Sequence, residues 1–203
     1  MWTTLLSLIA LRPTATQPCA PTVQALELPK TLHDARLEGD ALIVVSKSAR
    51  RLARYSGGDL VQLDDAPACW TIGLAASADG AAWSGTKTRQ GDRKTPEGWY
   101  RTSDKPWSSF YGAIAVHYPD RSDADAGLSD GRIDTATHRR ISAALATGRK
   151  PPQETALGGE ILIHGGGGDS DWTLGCVALD DDDTDALRGS LPPHMQTDVL
   201  ILP

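Results

Sequence analysis

The chain has 203 residues, 40% of them apolar, which suits one domain with a real core and excludes a disordered chain or a scaffold held by disulfides alone. Its 26 acidic residues against 20 Lys and Arg leave a formal charge of −6 with no basic cluster, which argues against nucleic acid or anionic lipid as the main partner. Twenty glycines and 13 prolines point to many turns between short strands.

Residues 1–39 are expected to be a signal peptide or a disordered segment, and 40–203 a single mainly β domain. The apolar stretch Leu5 to Leu11 is too short to span a bilayer. It suits the apolar region of a secretory signal, with "VQA" (Val23 to Ala25) as a small-residue cleavage site, although no positive charge precedes it. Three cysteines leave an odd number. Cys19 and Cys69 can pair and leave Cys176 as a free thiol, provided that Cys19 survives processing; cleavage after Ala25 would remove it. Cys69 as a small buried apolar residue is the alternative.

From residue 40 the strands follow in order. "ALIVVSKSARRLARYSGGD" gives an apolar run, Leu42 to Val45, then a turn and a returning strand, a hairpin in which Leu52 and Tyr55 are expected to cover the same core. "CWTIGLA" (69–75) reads as a buried strand. "GDRKTPEG" is polar and turn-forming, with Pro96 pre-setting φ and Gly98 free to take positive φ. "WYRTS" and "YGAIAVHYP" are β-like, and 134–146 is the best helical stretch, closed by Gly148 and Pro151. "GGEILIHG" is a strand between glycines. The acidic run Asp180 to Asp183 reads as a solvated helix start and lacks the alternating ligands of a calcium loop. "TDVLILP" closes the chain as a strand.

The chemistry-bearing stretch is "ILIHGGGGDSDWTLGCVALDD" (161–181). A thiol is mostly protonated near neutral pH, and a neighbouring imidazole can take its proton and later return it to a leaving amine. His164 ends a rigid apolar strand, and Cys176 follows Gly175 on the far side of a glycine loop. A glycine before a nucleophile removes the Cβ that would crowd an acyl group and lets backbone N–H groups face an oxyanion. Two structural residues would look the same in isolation. Zinc ligation by His164, Cys176, Asp169 and Asp171 lacks any closely spaced ligand pair. A phosphate cradle lacks the following Lys-Ser/Thr.

The stretch resembles the signature of the L,D-transpeptidase (YkuD-type) catalytic domain, a His-Gly pair followed after a loop by Ser/Thr-x-Gly-Cys. The matching residues are His164-Gly165 and Thr173-Leu174-Gly175-Cys176. "GDRKTPEGWYRTSD" and "VVSKSARRLARY" resemble two further hallmarks, and the likeness covers about 40–203. It implies a small mainly β fold, a YkuD-like β-sandwich or barrel with one or two short helices, in an exported protein of the periplasm or cell envelope. Peptidoglycan stem peptides are the implied substrate. Cys176 would form the thioester, His164 act as base and acid, the Gly165 carbonyl orient the imidazole, and the Gly175 and Cys176 amides form the oxyanion hole. No metal or organic cofactor is implied, and neither nucleic acid nor a transmembrane segment.

Trp172, Thr173 and Asp171 are candidate substrate-binding residues; Trp172 reads equally as filler beside the loop, and bracing the loop is the favoured role for the other two. His117 reads as a satisfied strand histidine, and the "YP" before Asp120 resembles a turn found in one branch of the family, close to the cleft. Many family members carry Arg two residues after the cysteine, where this chain has Ala178. "DWTLGCVA" is similar instead to the YafK-type branch, associated with hydrolysing the bond between a lipoprotein lysine and the stem. That moves weight toward water as acceptor, unless residue 178 serves packing alone. A wall-linked lipoprotein is therefore a second expected partner.

Overall fold

The computed structural model describes residues 19–75 and 84–203, so Leu5 to Leu11 lie outside the described residues. The strands are β1 (Leu42–Ser46), β2 (Arg51–Ser56), β3 (Asp59–Leu60), β4 (Gln62–Leu63), β5 (Ala66–Pro67), β6 (Cys69–Thr71), β7 (Gly98–Asp104), β8 (Ile114–Val116), β9 (Leu162–His164), β10 (Val177–Ala178) and β11 (Asp198–Leu202). The helices are α1 (Arg121–Ser129), α2 (Thr135–Ala146) and α3 (Asp181–Gly189). The main sheet runs β10-β9-β8-β7-β11-β1-β2-β3, with β6 also on β2 and β4–β5 a separate ribbon. The sheet curls until the chain after β6 meets β10. There Gly73 N–H donates to the Ala178 carbonyl and Ala178 N–H to the Gly73 carbonyl, both at 2.9 Å. This curled half-barrel agrees with the mainly β sandwich or barrel expected from the sequence.

Alternation along the strands sorts the side chains into two faces. Ile43, Val45, Leu52, Ile114, Val116, Ile163, Val177, Val199 and Ile201 fill the inner core, closed by Ala124, Ile141 and Leu187 from the three helices. Leu42, Val44, Ala53, Tyr55 and Leu200 stand on the outer face. Leu52 and Tyr55 therefore serve different cores, contrary to the expectation: they are three apart in an extended strand, and a period of two sends odd separations to opposite faces.

The outer cluster exists because residues 19–39 cover it. Three short 3-10 turns, Val23–Ala25, Lys30–Leu32 and Ala35–Glu38, pack Val23 and Leu37 onto β1, β2 and β11. Tyr55 donates its hydroxyl to the Ala20 carbonyl at 2.8 Å, and Cys19 is disulfide-bonded to Cys69 on β6. The described part of the segment before residue 40 is thus built into the fold, and the "VQA" tripeptide is one of its turns, with Val23 buried. Over β8 and β9 the outer face carries a small separate cluster, Ala113, Ala115 and Leu162, against which Cys176 packs.

The helix expected at 134–146 is α2, with Asp134 as its N-cap accepting from Thr137 N–H at 2.7 Å. The expected acidic helix start is α3. Beyond the one or two helices expected there is a third, α1, opened by a capping box between Asp120 and Asp123. Its sequence hides it, because Asp replaces the usual Glu or Gln of the box and Gly127 interrupts the helical pattern.

The disulfide closes a loop 50 residues long and ties the N-terminal segment to the strand that supports β10. Reducing it, or replacing Cys69 by Ala, is expected to lower unfolding stability by about 2–4 kcal/mol through the regained entropy of the unfolded chain. Denaturant melts with and without reductant measure this, and coincident midpoints would show the segment to be held by packing alone.

Candidate active site

Strands β9 and β10 are parallel neighbours, with Val177 opposite Ile163 and Ala178 opposite His164. Extending that register puts Cys176 beside Leu162. His164 and Cys176 therefore share the outer face on a diagonal, with about 7–8 Å between Cα positions by sheet geometry. The twelve residues between the two strands, 165–176, form the loop that returns the chain to the start of β10.

His164 is buried, 1% exposed. Its Nδ1 lies 2.6 Å from the carbonyl oxygen of Gly165. A carbonyl can only accept, so Nδ1 carries the hydrogen and the neutral ring keeps its lone pair at Nε2. Burial pushes the ring below the ordinary histidine value of 6.5, partly offset by the Gly165 bond. Phe110 stacks on the imidazole with centroids 4.4 Å apart, and Trp172 meets it edge-on at 5.4 Å. The ring is clamped as a neutral base.

Burial likewise pushes the Cys176 thiol above the ordinary cysteine value, opposed by a Leu162 backbone N–H to the sulfur and by the charges of Lys105 and Lys87. The thiol donates to the Glu160 carbonyl at 3.6 Å, a long contact that a sulfur donor readily gives up. Glu160 is itself held at φ +56°, its carboxylate paired with Lys105 and, at 3.2 Å, with Lys150. Both partners of the His–Cys pair rest uncharged near neutral pH.

The loop is fixed from several sides. Asp171 makes a two-point ion pair with Arg50 and accepts Leu74 N–H at 2.8 Å. Thr173 donates to the Cys176 carbonyl at 2.8 Å and accepts Gly175 N–H at 3.3 Å. Asp181 accepts Gly166 N–H at 2.8 Å and Asp180 accepts Gly168 N–H at 2.9 Å, so two residues of the acidic run brace the glycines as well as opening α3. The loop lies directly on Gly73, where an added Cβ would stand 2.3 Å from the Ser170 carbonyl oxygen. Gly175 sits at φ +121°, and a Cβ there would meet the Lys94 carbonyl oxygen at 2.8 Å.

The structure thus brings His164, Gly165, Gly175 and Cys176 together in one strand–loop–strand unit. Trp172 is partly exposed beside His164, its indole N–H donating to the Gly167 carbonyl at 2.9 Å. Asp171 and Thr173 spend their polar atoms on the loop. Ala178 is fully buried, paired with His164 across the strands and bonded both ways to Gly73, which makes it a packing position. Phe110, the one phenylalanine of the chain, was not legible as part of the site, because it lies more than fifty residues upstream in an aromatic loop that carries no motif. Arg50 was hidden for the same reason, and Glu160, although only four residues before His164, acts through its backbone carbonyl, which no side-chain pattern marks. Among the described residues no helix is long and apolar enough to cross a membrane.

A family model for the YkuD L,D-transpeptidase catalytic domain matches residues 40–201. The chain belongs to that family. A search of curated proteins gives no match. Among solved structures, the helical cell shape determining protein Pgp2 from Campylobacter jejuni is similar at 20% identity and a TM-score of 0.50, covering 84% of this chain and 52% of that one. A point mutant of Pgp2 gives 21% identity, a TM-score of 0.50, and coverage of 81% and 47%. An L,D-transpeptidase fragment from Xylanimonas cellulosilytica DSM 15894 matches at 12% identity and a TM-score of 0.42, covering 81% and 61%. The chain spans about half the length of the Pgp2 structures, which share the L,D-transpeptidase fold with it.

Two outcomes follow from this geometry. With the thiol raised and the imidazole neutral, alkylation of Cys176 by iodoacetamide should keep rising with pH through the ordinary thiol value of 9.0, without an early plateau. A plateau near pH 6 would reveal a preformed thiolate–imidazolium pair instead. Gly175→Ala should destabilise the fold by about 1–3 kcal/mol from the positive φ alone, with the Lys94 contact adding to it. Denaturant unfolding measures that, and an unchanged midpoint would contradict the loop geometry.

Proposed function

We propose that this domain transfers acyl groups of peptidoglycan stem peptides through a thioester on Cys176. The observation that carries the reading is the placement of His164 and Cys176 on one sheet face, with the imidazole held by the Gly165 carbonyl so that its basic nitrogen is Nε2. As the sulfur attacks a stem carbonyl, Nε2 takes the thiol proton and the carbonyl electrons move onto oxygen. When that oxyanion collapses, the carbon–nitrogen bond breaks and His164 gives its proton to the leaving amine. A second amine then attacks the thioester, passing its proton to His164 and restoring the thiol.

The Cys176 and Gly175 N–H groups are the oxyanion donors in this reading. Gly175 N–H is held only by the long 3.3 Å bond to Thr173, which a developing negative charge readily displaces. Transfer to an amine is favoured over transfer to water. The sequence arguments for water were Ala178 and the likeness of "DWTLGCVA" to the YafK-type branch; Ala178 is fully buried in the sheet, a place that suits a small packing residue whatever the acceptor. A wall-linked lipoprotein amine is one acceptor of the right chemistry. The working compartment is the cell envelope, a setting that suits the Cys19–Cys69 disulfide.

The test is mass spectrometry of products from a tetrapeptide-stem muropeptide incubated with a competing D-amino acid. Wild type should yield the exchanged stem, and Cys176→Ala should yield none. A shortened stem alone would make water the acceptor, and identical products from Cys176→Ala would end the thioester reading. On the acid side, activity should fall only as pH drops through a value below 6.5, because the base form of His164 is required and burial lowers its protonation range. Loss of activity already well above pH 6.5 would contradict this.

A further inference from the structure

The catalytic face does not end at Cys176. From Leu162 the register continues to Ala115 on β8 and Ser103 on β7, and one repeat further along it reaches His117 and Arg101. By strand spacing, His117 and Arg101 lie roughly 12–16 Å from Cys176, a span that an extended peptide covers in about four residues. A cavity of about 190 Å³ opens there, and Arg36, Arg101, Arg121 and Arg149 line it together with His117 and Trp99.

Four guanidinium groups around one small cavity are unexpected in a chain of net charge −6. Arg36 stacks over Trp99 at 4.2 Å and is matched by Asp34 at 2.9 Å and Asp198 at 4.0 Å. Asp198 also lies opposite Arg101 across β7 and β11 and feels its charge, so one carboxylate is shared by two guanidiniums, while Arg121 and Arg149 have no such match. Among the described residues, no ion pair or side-chain hydrogen bond holds Arg101 or Arg121, and Arg149 donates only to the Thr147 hydroxyl, at 2.9 Å. The one carboxylate lining the cavity, Asp120, is occupied as the N-cap of α1, accepting from Asp123 N–H at 2.8 Å and Ser122 Oγ at 2.9 Å. His117 is 4% exposed, with Nε2 2.9 Å from Ser103 Oγ and its other ring nitrogen, Nδ1, buried without a partner. It is therefore only half the satisfied strand histidine that the sequence suggested. Burial pushes its protonation down to about 4, with smaller contributions from the positive charges of Lys150 and Arg101.

We propose that Arg101, Arg121 and Arg149, with His117, form an anion subsite on the catalytic face that takes a free carboxylate of the stem peptide bound across Cys176. Cations gathered in excess of their counter-charges repel one another, and a further carboxylate relieves that repulsion while accepting the paired donors of a guanidinium. Free phosphate shares this chemistry. The inference rests on the stem-peptide reading for the identity of its ligand.

The experiment is calorimetric titration of the catalytically inert Cys176→Ala protein with a tetrapeptide muropeptide, and with the same muropeptide carrying amidated stem carboxylates. The carboxylate form should bind about tenfold tighter, the usual scale for losing a charged hydrogen-bond partner. The preference should vanish when Arg101→Gln and Arg149→Gln are added, both being exposed positions. Equal affinities for the two ligands, or a preference that survives both changes, would overturn the proposal. Inorganic phosphate titrated alone serves as the other arm. Phosphate binding lost in the arginine variant, without discrimination between the peptides, would assign the site to free phosphate and overturn the stem carboxylate. Discrimination by a protein whose wild type turns over no muropeptide would sink the catalytic reading and keep the subsite; turnover without discrimination would do the reverse.

Discussion

Two parallel strands cannot be joined by a tight turn, and the site rests on that constraint. β9 and β10 lie side by side and run the same way, so the chain must travel back from His164 to the start of β10, and it does so in twelve residues without a helix. A connection that short has to lie flat on whatever is beneath it, here the segment through Gly73 that also closes the sheet. The glycines of the loop and the carboxylates of Asp171, Asp180 and Asp181 are the means: the first allow close approach, the second occupy N–H groups that the crossing would leave unpaired. In exchange, the parallel pairing sets His164 and Cys176 on one face of the sheet.

The electrostatics of the pair follow from the same packing. Burial disfavours the charged form of each partner, raising the thiol and lowering the imidazole, so the proton rests on sulfur. A resting pair of this kind resists adventitious alkylation and oxidation, which need the thiolate. In the proposed reaction an arriving carbonyl would trigger proton transfer, because the charge that forms is shared at once with the carbonyl oxygen. Phe110 and Trp172 contribute by keeping water from the ring and fixing its plane. The carbonyl of Gly165, an uncharged acceptor, holds the tautomer without adding a buried charge that would itself need a partner.

What could be read from the sequence was what is local. The strand ending in His164, the glycine loop and the Gly-Cys that follows are contiguous, and the residue order already expresses the strand–loop–strand unit. The helix at 135–146 announced itself through an Asp N-cap and a closing glycine. What stayed hidden depends on contacts between distant segments. Nothing near Phe110 marks it as the imidazole's stacking partner, and nothing near Arg50 marks it as the anchor of Asp171. The N-terminal segment read as a signal or disordered stretch, from a short apolar run and the small-residue "VQA", yet Val23, Leu26, Leu28, Leu32 and Leu37 pack in the outer cluster. They fit only the irregular path of three short 3-10 turns across the outer sheet face. Ala178 shows the converse: a departure from a family pattern that looked functional is a fully buried residue of the sheet.

The central claim is that Cys176 carries the acyl group and that His164, oriented by Gly165, makes this possible. Intact-protein mass spectrometry of enzyme mixed with muropeptide and quenched in acid within the first turnovers tests it most directly. The account predicts an adduct equal to the stem minus its leaving residue, mapped to Cys176, absent from Cys176→Ala and strongly reduced in His164→Ala. Products formed without any adduct on Cys176, or an adduct that forms as fast without His164, would contradict it.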